Sequence, residues 1–128
     1  MSVARLSRRL RAQGGSSLSA TQHAVLAAVD RHRSMTPREL AEQEKVQPPS
    51  MTRVIAVLEE QRLVVRSPHP TDGRQVVLQV TDKGKSLLKE ERRRKEAWLA
   101  RRLQELTNEE RAILRQAAPI LEKLSKAS

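Results

Sequence analysis

Apolar side chains recur along this chain at the spacings of two kinds of secondary structure. Spacings of three and four residues predict amphipathic helices, over residues 2–13, 19–31, 36–44, 48–61, 81–106 and from 107 towards the C-terminus. Alternating apolar and polar residues predict a half-buried strand over 76–80, and the apolar run Leu63-Val64-Val65 predicts a second strand. The Asp72-Gly73 step between them is a strong turn signal. The chain is therefore predicted to be mainly α-helical, an α+β fold with one small β-hairpin.

Local signals set the predicted helix boundaries. A Ser or Thr followed three residues later by Glu or Gln forms a capping box, as at Ser19 and Gln22, Thr36 and Glu39, and Thr107 and Glu110. The small residues at 14–17 break the helical pattern and predict a linker. Pro119 should kink or end the last helix. Residues 89–96 contain no apolar side chain, which predicts a solvated stretch between two packed helix ends.

A short helix, a tight turn and a longer helix over residues 36–61 form a helix-turn-helix pattern. Because the hairpin follows directly, the predicted architecture is a winged helix-turn-helix core with further helices before and after it. The apolar residues of the outer helices cannot all be covered by one chain, so we expect a homodimer interface there. The candidate interface residues are Val3, Leu6, Leu10, Trp98, Leu99, Leu103, Leu106, Ile113, Leu114, Ala117 and Leu121.

The charge of the chain makes nucleic acid the first partner to consider, ahead of an anionic membrane surface. Its 128 residues carry 25 Lys and Arg against 15 Asp and Glu, a formal net charge of +10. Residues 1–34 and 81–128 each contribute +5, whereas 35–80 sum to zero. No apolar run approaches the ~20 residues of a membrane span, and the first residues do not resemble a secretory signal. We therefore expect a cytoplasmic, nucleoid-associated protein with no membrane partner.

Several functional classes lack the residues that they require. The absence of cysteine excludes disulfides, thiolate catalysis and zinc fingers. One Trp without Phe or Tyr leaves almost nothing on which single-stranded bases could stack. His23, His32 and His69 have no metal-ligand spacing, and the sequence has no glycine-rich phosphate loop and no catalytic set. We expect no enzyme activity, no metal and no cofactor, and double-stranded DNA as the partner.

The candidate recognition element is the first turn of the helix over 48–61. It concentrates short hydrogen-bonding groups and one cation, which suit base edges and phosphates in a major groove. Its candidate residues are Gln47, Pro48, Pro49, Ser50, Thr52 and Arg53.

The hairpin is the candidate wing. A cation at a protruding hairpin tip can enter the minor groove, where the negative potential is enhanced. The candidate wing residues are His69, Thr71, Asp72, Gly73 and Arg74. Asp72 would repel phosphate, so we expect it to hold Arg74 or to cap the turn. Thr36, Arg38 and Arg66 are further candidates for contacts to the DNA backbone.

Several short motifs follow one another along the core of this chain. They are Leu40-Ala41, Val46 through Ser50, Thr52-Arg53, Leu58-Glu59, Leu63-Val64, Arg66, Asp72-Gly73-Arg74 and Thr81-Asp82-Lys83-Gly84. Together they resemble the core of the MarR (multiple antibiotic resistance regulator) family of transcriptional regulators. The Thr-Arg and Asp-Gly-Arg elements in combination are fairly specific.

The resemblance implies a DNA-binding domain over 18–88 and a helical dimerisation lobe formed by 1–13 and 89–128. In that family the recognition helices of a dimer enter successive major grooves of a pseudo-palindromic operator, and the wing Arg reaches the minor groove. Those roles carry over to Ser50, Thr52 and Arg53 in the helix and to Asp72 and Arg74 in the wing. The implied function is a sequence-specific transcriptional regulator, a repressor rather than an activator. Many members of the family are relieved by a small-molecule effector; whether this chain has one is left open, and its binding residues are unknown.

The chain departs from the family pattern at its first helix, which is short, and at Arg62, where the family commonly has Gly. Trp98 as the single aromatic residue argues against an aromatic-lined effector pocket. Two other interpretations stay open. One is a sequence-tolerant, nucleoid-type architectural DNA binder that uses the basic helices, and the other is a protein-interaction module without DNA affinity. Only a specific regulator should prefer a cognate site over random DNA by ~10³ or more.

Overall fold

The computed structural model describes residues 2–15 and 17–126, so Ser16 of the predicted linker lies outside the described residues. Six helices and two strands follow one another along that part of the chain, and the predicted α+β class is confirmed. They are α1 (Ser2–Ala12), α2 (Ala20–His32), α3 (Pro37–Glu44), α4 (Pro48–Glu60), β1 (Val64–Pro68), β2 (Val76–Val80), α5 (Asp82–Gln104) and α6 (Asn108–Lys126).

The chain divides into two compact units. The winged-helix unit is Gly15–Arg92, and the helical unit combines Met1–Gly14 with Arg93–Ser128. Helix α5 contributes residues to both units. The predicted domain boundaries lay at 18 and 88, and the separate roles of DNA binding and dimerisation stay predictions.

The core of the winged-helix unit is aliphatic. Its largest fully buried side chains come from three helices and from the hairpin, and they are Leu26, Leu40, Met51, Ile55, Leu58, Leu63 and Leu78. Each buried side chain of this size contributes about 1.5–3 kcal/mol relative to exposure. The capping boxes at Ser19 and Thr36 both form, which fixes where α2 and α3 begin relative to this core.

The hairpin is longer than the apolar run at 63–65 predicts. Strands β1 and β2 are antiparallel, and their register pairs Val64 with Val80 and Pro68 with Val76. The backbone of Met35 also pairs with Leu78 through two hydrogen bonds of 3.2 and 2.7 Å. Met35 immediately precedes Thr36, the N-cap of α3, so this bridge fixes the start of the helix-turn-helix against the hairpin.

The outer helices depart from the predictions at two places. Of the two outcomes predicted for Pro119, a kink or an end of the helix, the end is wrong, because α6 continues to Lys126. A proline removes one backbone hydrogen bond, and the flanking turns retain theirs. The stretch 89–96 is not uniformly solvated either, because Glu91 is 3% exposed. Its Oε2 lies 2.6 Å from His23 Nε2 of α2, although neither carboxylate oxygen has a well-aligned hydrogen-bond donor among the described residues.

Helices α3 and α4 both end in left-handed residues that are not glycine. Lys45 has a φ of 54° and Arg62 a φ of 61°. After α4, Arg62 N–H donates to Glu59 O and Leu63 N–H donates to Leu58 O, each at 2.9 Å. This is the hydrogen-bond pattern of a Schellman motif, in which glycine is preferred at the left-handed position.

Arg62→Gly should therefore stabilise the protein. Arg62 is exposed, so the substitution removes the steric cost of a left-handed side chain without opening the core. We expect a gain of about 1 kcal/mol in the free energy of unfolding, or about 4 °C in Tm by thermal denaturation. Arg62→Ala is the control, since it keeps a Cβ at the same φ. Equal melting temperatures for the two variants would contradict this account.

Candidate nucleic-acid interface

The turn between α3 and α4 presents the start of α4 to solvent. Lys45 closes α3 in the left-handed conformation, and Val46 N–H donates to Ala41 O at 3.0 Å. Gln47 is the N-cap of α4, and its side chain makes no capping hydrogen bond. The two prolines that follow have no N–H to satisfy in the first turn. Gln47 is exposed, so its amide is accessible to another molecule.

Helix α4 has a buried face and a polar face. Met51, Ile55 and Leu58 lie in the core, whereas Thr52 and Arg53 are exposed. The predicted recognition residues are thus brought together at one end of the helix, with Ser50 half-buried beside them.

Within the part of the chain that the structure describes, two of those side chains make local hydrogen bonds only. Thr52 Oγ1 donates to Pro48 O at 3.0 Å, and its oxygen keeps acceptor capacity. Arg53 Nη2 donates to Ser50 Oγ at 3.5 Å, a long contact that holds the guanidinium weakly. Arg53 can therefore reorient towards a base or a phosphate at little cost.

Asp72 organises the turn of the wing. Its Oδ1 accepts from the backbone N–H of Arg74, and its Oδ2 accepts from Gln75 Nε2, both at 3.1 Å. These hydrogen bonds, the backbone one first, hold the pKa of Asp72 below its usual range. The Arg74 side chain is 95% exposed and lies 3.6 Å from Asp72 Oδ1. Asp72 both caps the turn and stays close to the cation, and Arg74 is presented to solvent.

His69 and Thr71 have structural roles in the same turn. His69 Nδ1 accepts from the backbone N–H groups of Thr71 and Asp72 at 3.2 and 3.1 Å. The backbone of His69 also donates to Gln75 O at 3.1 Å. These contacts close the tip of the hairpin, so His69 shapes the wing while Arg74 is its exposed cation.

The three candidates for backbone contacts differ in what they offer. Thr36 is 5% exposed, and its hydroxyl accepts from Glu39 N–H, so it leaves little surface for DNA. Arg38 is exposed and lies 3.4 Å from Glu42 one helical turn on. Arg66 donates two hydrogen bonds of 2.9 Å to Glu59.

The Glu59–Arg66 pair joins the end of α4 to β1. It is a bidentate carboxylate–guanidinium contact, and it raises the pKa of Arg66. Part of the Arg66 charge is therefore already neutralised. The sequence motifs contain both residues, but their pairing depends on the packing of the hairpin against α4 and was not predicted.

The candidate interface residues of the helical unit fall into two groups. The side chains of Val3, Leu6, Ile113, Leu114 and Leu121 are exposed, while Leu10, Leu99, Leu103, Leu106 and Ala117 are half-buried. Helix α6 exposes two further apolar residues, Ile120 and Leu124, that were not among the candidates.

Trp98 is the exception among the interface candidates. It is 9% exposed, with the guanidinium carbons of Arg9 and Arg102 at 5.6 and 5.4 Å from its ring centroid. These are cation–π distances. Trp98 is thus covered within its own chain.

A helix-turn-helix followed by a hairpin wing, with polar and cationic residues exposed on both, defines a winged-helix DNA-binding protein. Among residues 2–15 and 17–126, no three His, Asp or Glu side chains lie together as metal ligands. None of the helices described is both long enough and apolar enough to cross a membrane.

Comparison with known proteins gives the family. The MarR family model matches residues 18–76. The uncharacterised HTH-type transcriptional regulator Mb0904 of Mycobacterium bovis is 48% identical over 122 residues, covering 94% of this chain and 85% of that protein. The HTH-type transcriptional repressor MdtR of Bacillus subtilis is 36% identical over 104 residues, covering 81% of this chain and 65% of that protein.

A solved complex is also similar. A mutant form of MarR from E. coli, in complex with operator DNA, has a TM-score of 0.66 and 27% identity, covering 91% of this chain and 83% of that one. The chain belongs to the MarR family and is a DNA-binding transcriptional regulator.

Proposed function

We propose that this protein is a homodimeric repressor that recognises a pseudo-palindromic operator on chromosomal DNA in the cytoplasm. The observation that carries the proposal is the exposed polar turn at the start of α4, in the same unit as a wing whose Arg74 is 95% exposed. One element suits a major groove and the other a minor groove.

The recognition chemistry is assigned residue by residue. Arg53 can pair with O6 and N7 of guanine, and Gln47 can pair with N6 and N7 of adenine. The Thr52 methyl group can contact a thymine methyl. Arg74 is the cation for the minor groove, where its long side chain meets an enhanced negative potential.

The dimer is supported by apolar side chains that the single chain leaves open to water. Val3 is 67% exposed, Ile113 63% and Leu124 68%. On α6 the exposed apolar residues Ile113, Ile120 and Leu124 recur at helical spacing, and exposed apolar patches mark interaction surfaces. A two-fold dimer would present two recognition helices to half-sites about 10 bp apart on one face of the duplex.

The repressive sign is supported by the similarity to MdtR, a transcriptional repressor. A small-molecule effector has a candidate location in the winged-helix unit. An open groove of about 690 Å³ lies between α3 and α4, with Pro37, Ala41 and Met51 among its lining residues and Thr52 at the start of the recognition helix. A ligand there would cover residues assigned to DNA recognition.

Selection from a random duplex library tests the proposal. The 128-residue chain should enrich a pseudo-palindromic motif with half-sites about 10 bp apart. Placing that motif over a promoter should reduce transcription in vitro. Loss of sequence enrichment despite DNA retention would favour the architectural binder instead. Failure to retain any duplex at 50 mM salt would overturn both.

Arg74→Ala should weaken operator binding without unfolding the protein. The side chain is almost fully exposed and its ion pair with Asp72 is long, so little stability is lost. We expect roughly a tenfold rise in Kd, or about 1.4 kcal/mol, measured by fluorescence anisotropy with an unchanged Tm. Arg74→Lys, which retains the charge, should recover part of the affinity. Unchanged affinity in Arg74→Ala would remove the wing from the interface.

A further inference from the structure

The positive charge of the chain is concentrated outside the winged-helix unit. In Gly15–Arg92, twelve Lys and Arg oppose ten Asp and Glu, a net charge of +2. In Met1–Gly14 with Arg93–Ser128, thirteen oppose five, a net charge of +8. The unit that contains the recognition helix and the wing therefore accounts for little of the net charge. The +8 lies in the helical unit, where an apolar dimer interface would not require positive charge.

Helix α1 carries half of this net charge, +4 of +8. It contains four arginines and no acidic residue. Arg5, Arg8 and Arg11 are exposed, and none of them makes an ion pair within residues 2–15 and 17–126. Arg9 differs, because its guanidinium lies over the Trp98 ring.

The arginines and the apolar residues of α1 lie on different faces. At 3.6 residues per turn, Val3, Leu6 and Leu10 share one side of the helix. Arg5, Arg8 and Arg11 are centred on the opposite side, whereas Arg9 lies between the two. A dimer contact through the apolar side would leave the arginines accessible. A row of unpaired guanidinium groups on one helix face suits the regularly spaced phosphates of a nucleic acid backbone.

We propose that the arginine face of α1 is a second DNA-contacting surface that binds phosphates of duplex DNA. This surface is separate from the operator-reading surface formed by α4 and the wing. The inference rests on the proposed function in one respect, that duplex DNA is the partner. An anionic membrane is the weaker fit, because α1 offers just three large apolar residues and no aromatic residue to a lipid interface.

The salt dependence of binding tests this surface. The variant R5Q/R8Q/R11Q removes three charges and leaves the stacked Arg9 in place. Binding of the full chain to a 40-bp random-sequence duplex would be measured between 50 and 300 mM NaCl. Each lost phosphate contact lowers the slope of log K against log [salt] by about 0.9. We expect the slope to fall by about 2–3 per protomer, with affinity at least tenfold weaker at 50 mM salt.

A matched variant separates local contacts from net charge. R101Q/R115Q/K123Q removes three exposed cations from α5 and α6 of the same helical unit. Its slope should change by less than about 1. Far-UV circular dichroism would confirm that both variants stay helical, and R5K/R8K/R11K should restore the slope. Equal slope changes in the two charge-removing variants, or an unchanged slope in R5Q/R8Q/R11Q, would overturn the proposal.

Two further experiments distinguish a second duplex, the flanks of the same duplex and a lipid membrane as the source of the phosphates. Capture of a labelled duplex by a bead-bound duplex, lost in R5Q/R8Q/R11Q, would show that α1 binds a second duplex. A lower slope without capture would place the contact on the flanks of the same duplex. Loss of binding to vesicles containing phosphatidylserine, with the DNA slope unchanged, would overturn the proposal in favour of a membrane. DNA binding by the wild type separates a failure here from a failure of the proposed function.

Discussion

Replacing Arg53 with alanine is expected to weaken binding to the selected operator by about 1–3 kcal/mol and to relax base preference at one position of each half-site. Arg53 is exposed on α4 and is the cation of the recognition turn. Among the described residues its hydrogen bond is the long 3.5 Å contact to Ser50. A bidentate arginine–guanine pair is worth this amount of discrimination against the wrong base. Anisotropy titrations against operators substituted at single positions would measure both effects.

The control for Arg53 lies at the opposite end of the same helix. Arg62 is also exposed, follows the last turn of α4 and has no assigned base. Arg62→Ala removes the same charge as Arg53→Ala. Because Arg62 has no assigned base, the substitution should weaken binding to operator and to random DNA equally, and only slightly. Unchanged binding of Arg53→Ala to both DNAs would show that the recognition helix is wrongly assigned.

Gly84→Ala is expected to destabilise the winged-helix unit by about 1–3 kcal/mol or more. An added Cβ would lie 2.4 Å from the backbone oxygen of Leu63 and 2.6 Å from Val80 Cγ1. The backbone of Leu63 cannot move freely, because its oxygen also accepts from Thr81 N–H at 3.0 Å. Relief of the clash must therefore shift α5 away from the hairpin, and urea denaturation would measure the loss.

Gly73 supplies the comparison for this substitution. A Cβ at Gly73, in the wing turn, would meet nothing within 4 Å. Gly73→Ala should change the free energy of unfolding by no more than about 0.5 kcal/mol. If both alanine variants unfold at the same urea concentration, the close approach of α5 to Leu63 does not limit stability.

Local signals in the sequence were sufficient for most helix starts. The capping boxes at Ser19 and Thr36 form as their spacing predicts, because each depends on residues within one turn. The same locality explains why α6 does not end at Pro119. A proline rule describes one residue, and the helix on both sides of it has its own hydrogen bonds.

Contacts between distant residues were not predictable from the sequence. The Met35–Leu78 bridge, the Glu59–Arg66 pair and the His23–Glu91 contact each join elements that meet only after folding. A charged residue such as Glu91 gives no sign in the sequence that its carboxylate will be buried. Periodicity therefore predicted a polar stretch where the structure buries one carboxylate.

The sequence predicted which polar and cationic residues make up the candidate site. It did not predict which of them are free to contact DNA and which make hydrogen bonds within the protein. The exposed polar turn of α4 and the exposed Arg74 follow from periodicity and the turn signal. Thr36 and His69 are polar as well, yet each uses its side chain to accept hydrogen bonds from neighbouring backbone N–H groups. Polarity alone does not separate a residue that faces DNA from one that closes a turn.

The measurement that tests the central claim most directly is a pair of anisotropy titrations. Wild-type protein would be titrated into the selected operator and into a scrambled duplex of equal length and composition, at one fixed salt concentration. The account predicts a ratio of dissociation constants of at least about 10³. Equal dissociation constants would contradict sequence-specific recognition by α4 and the wing.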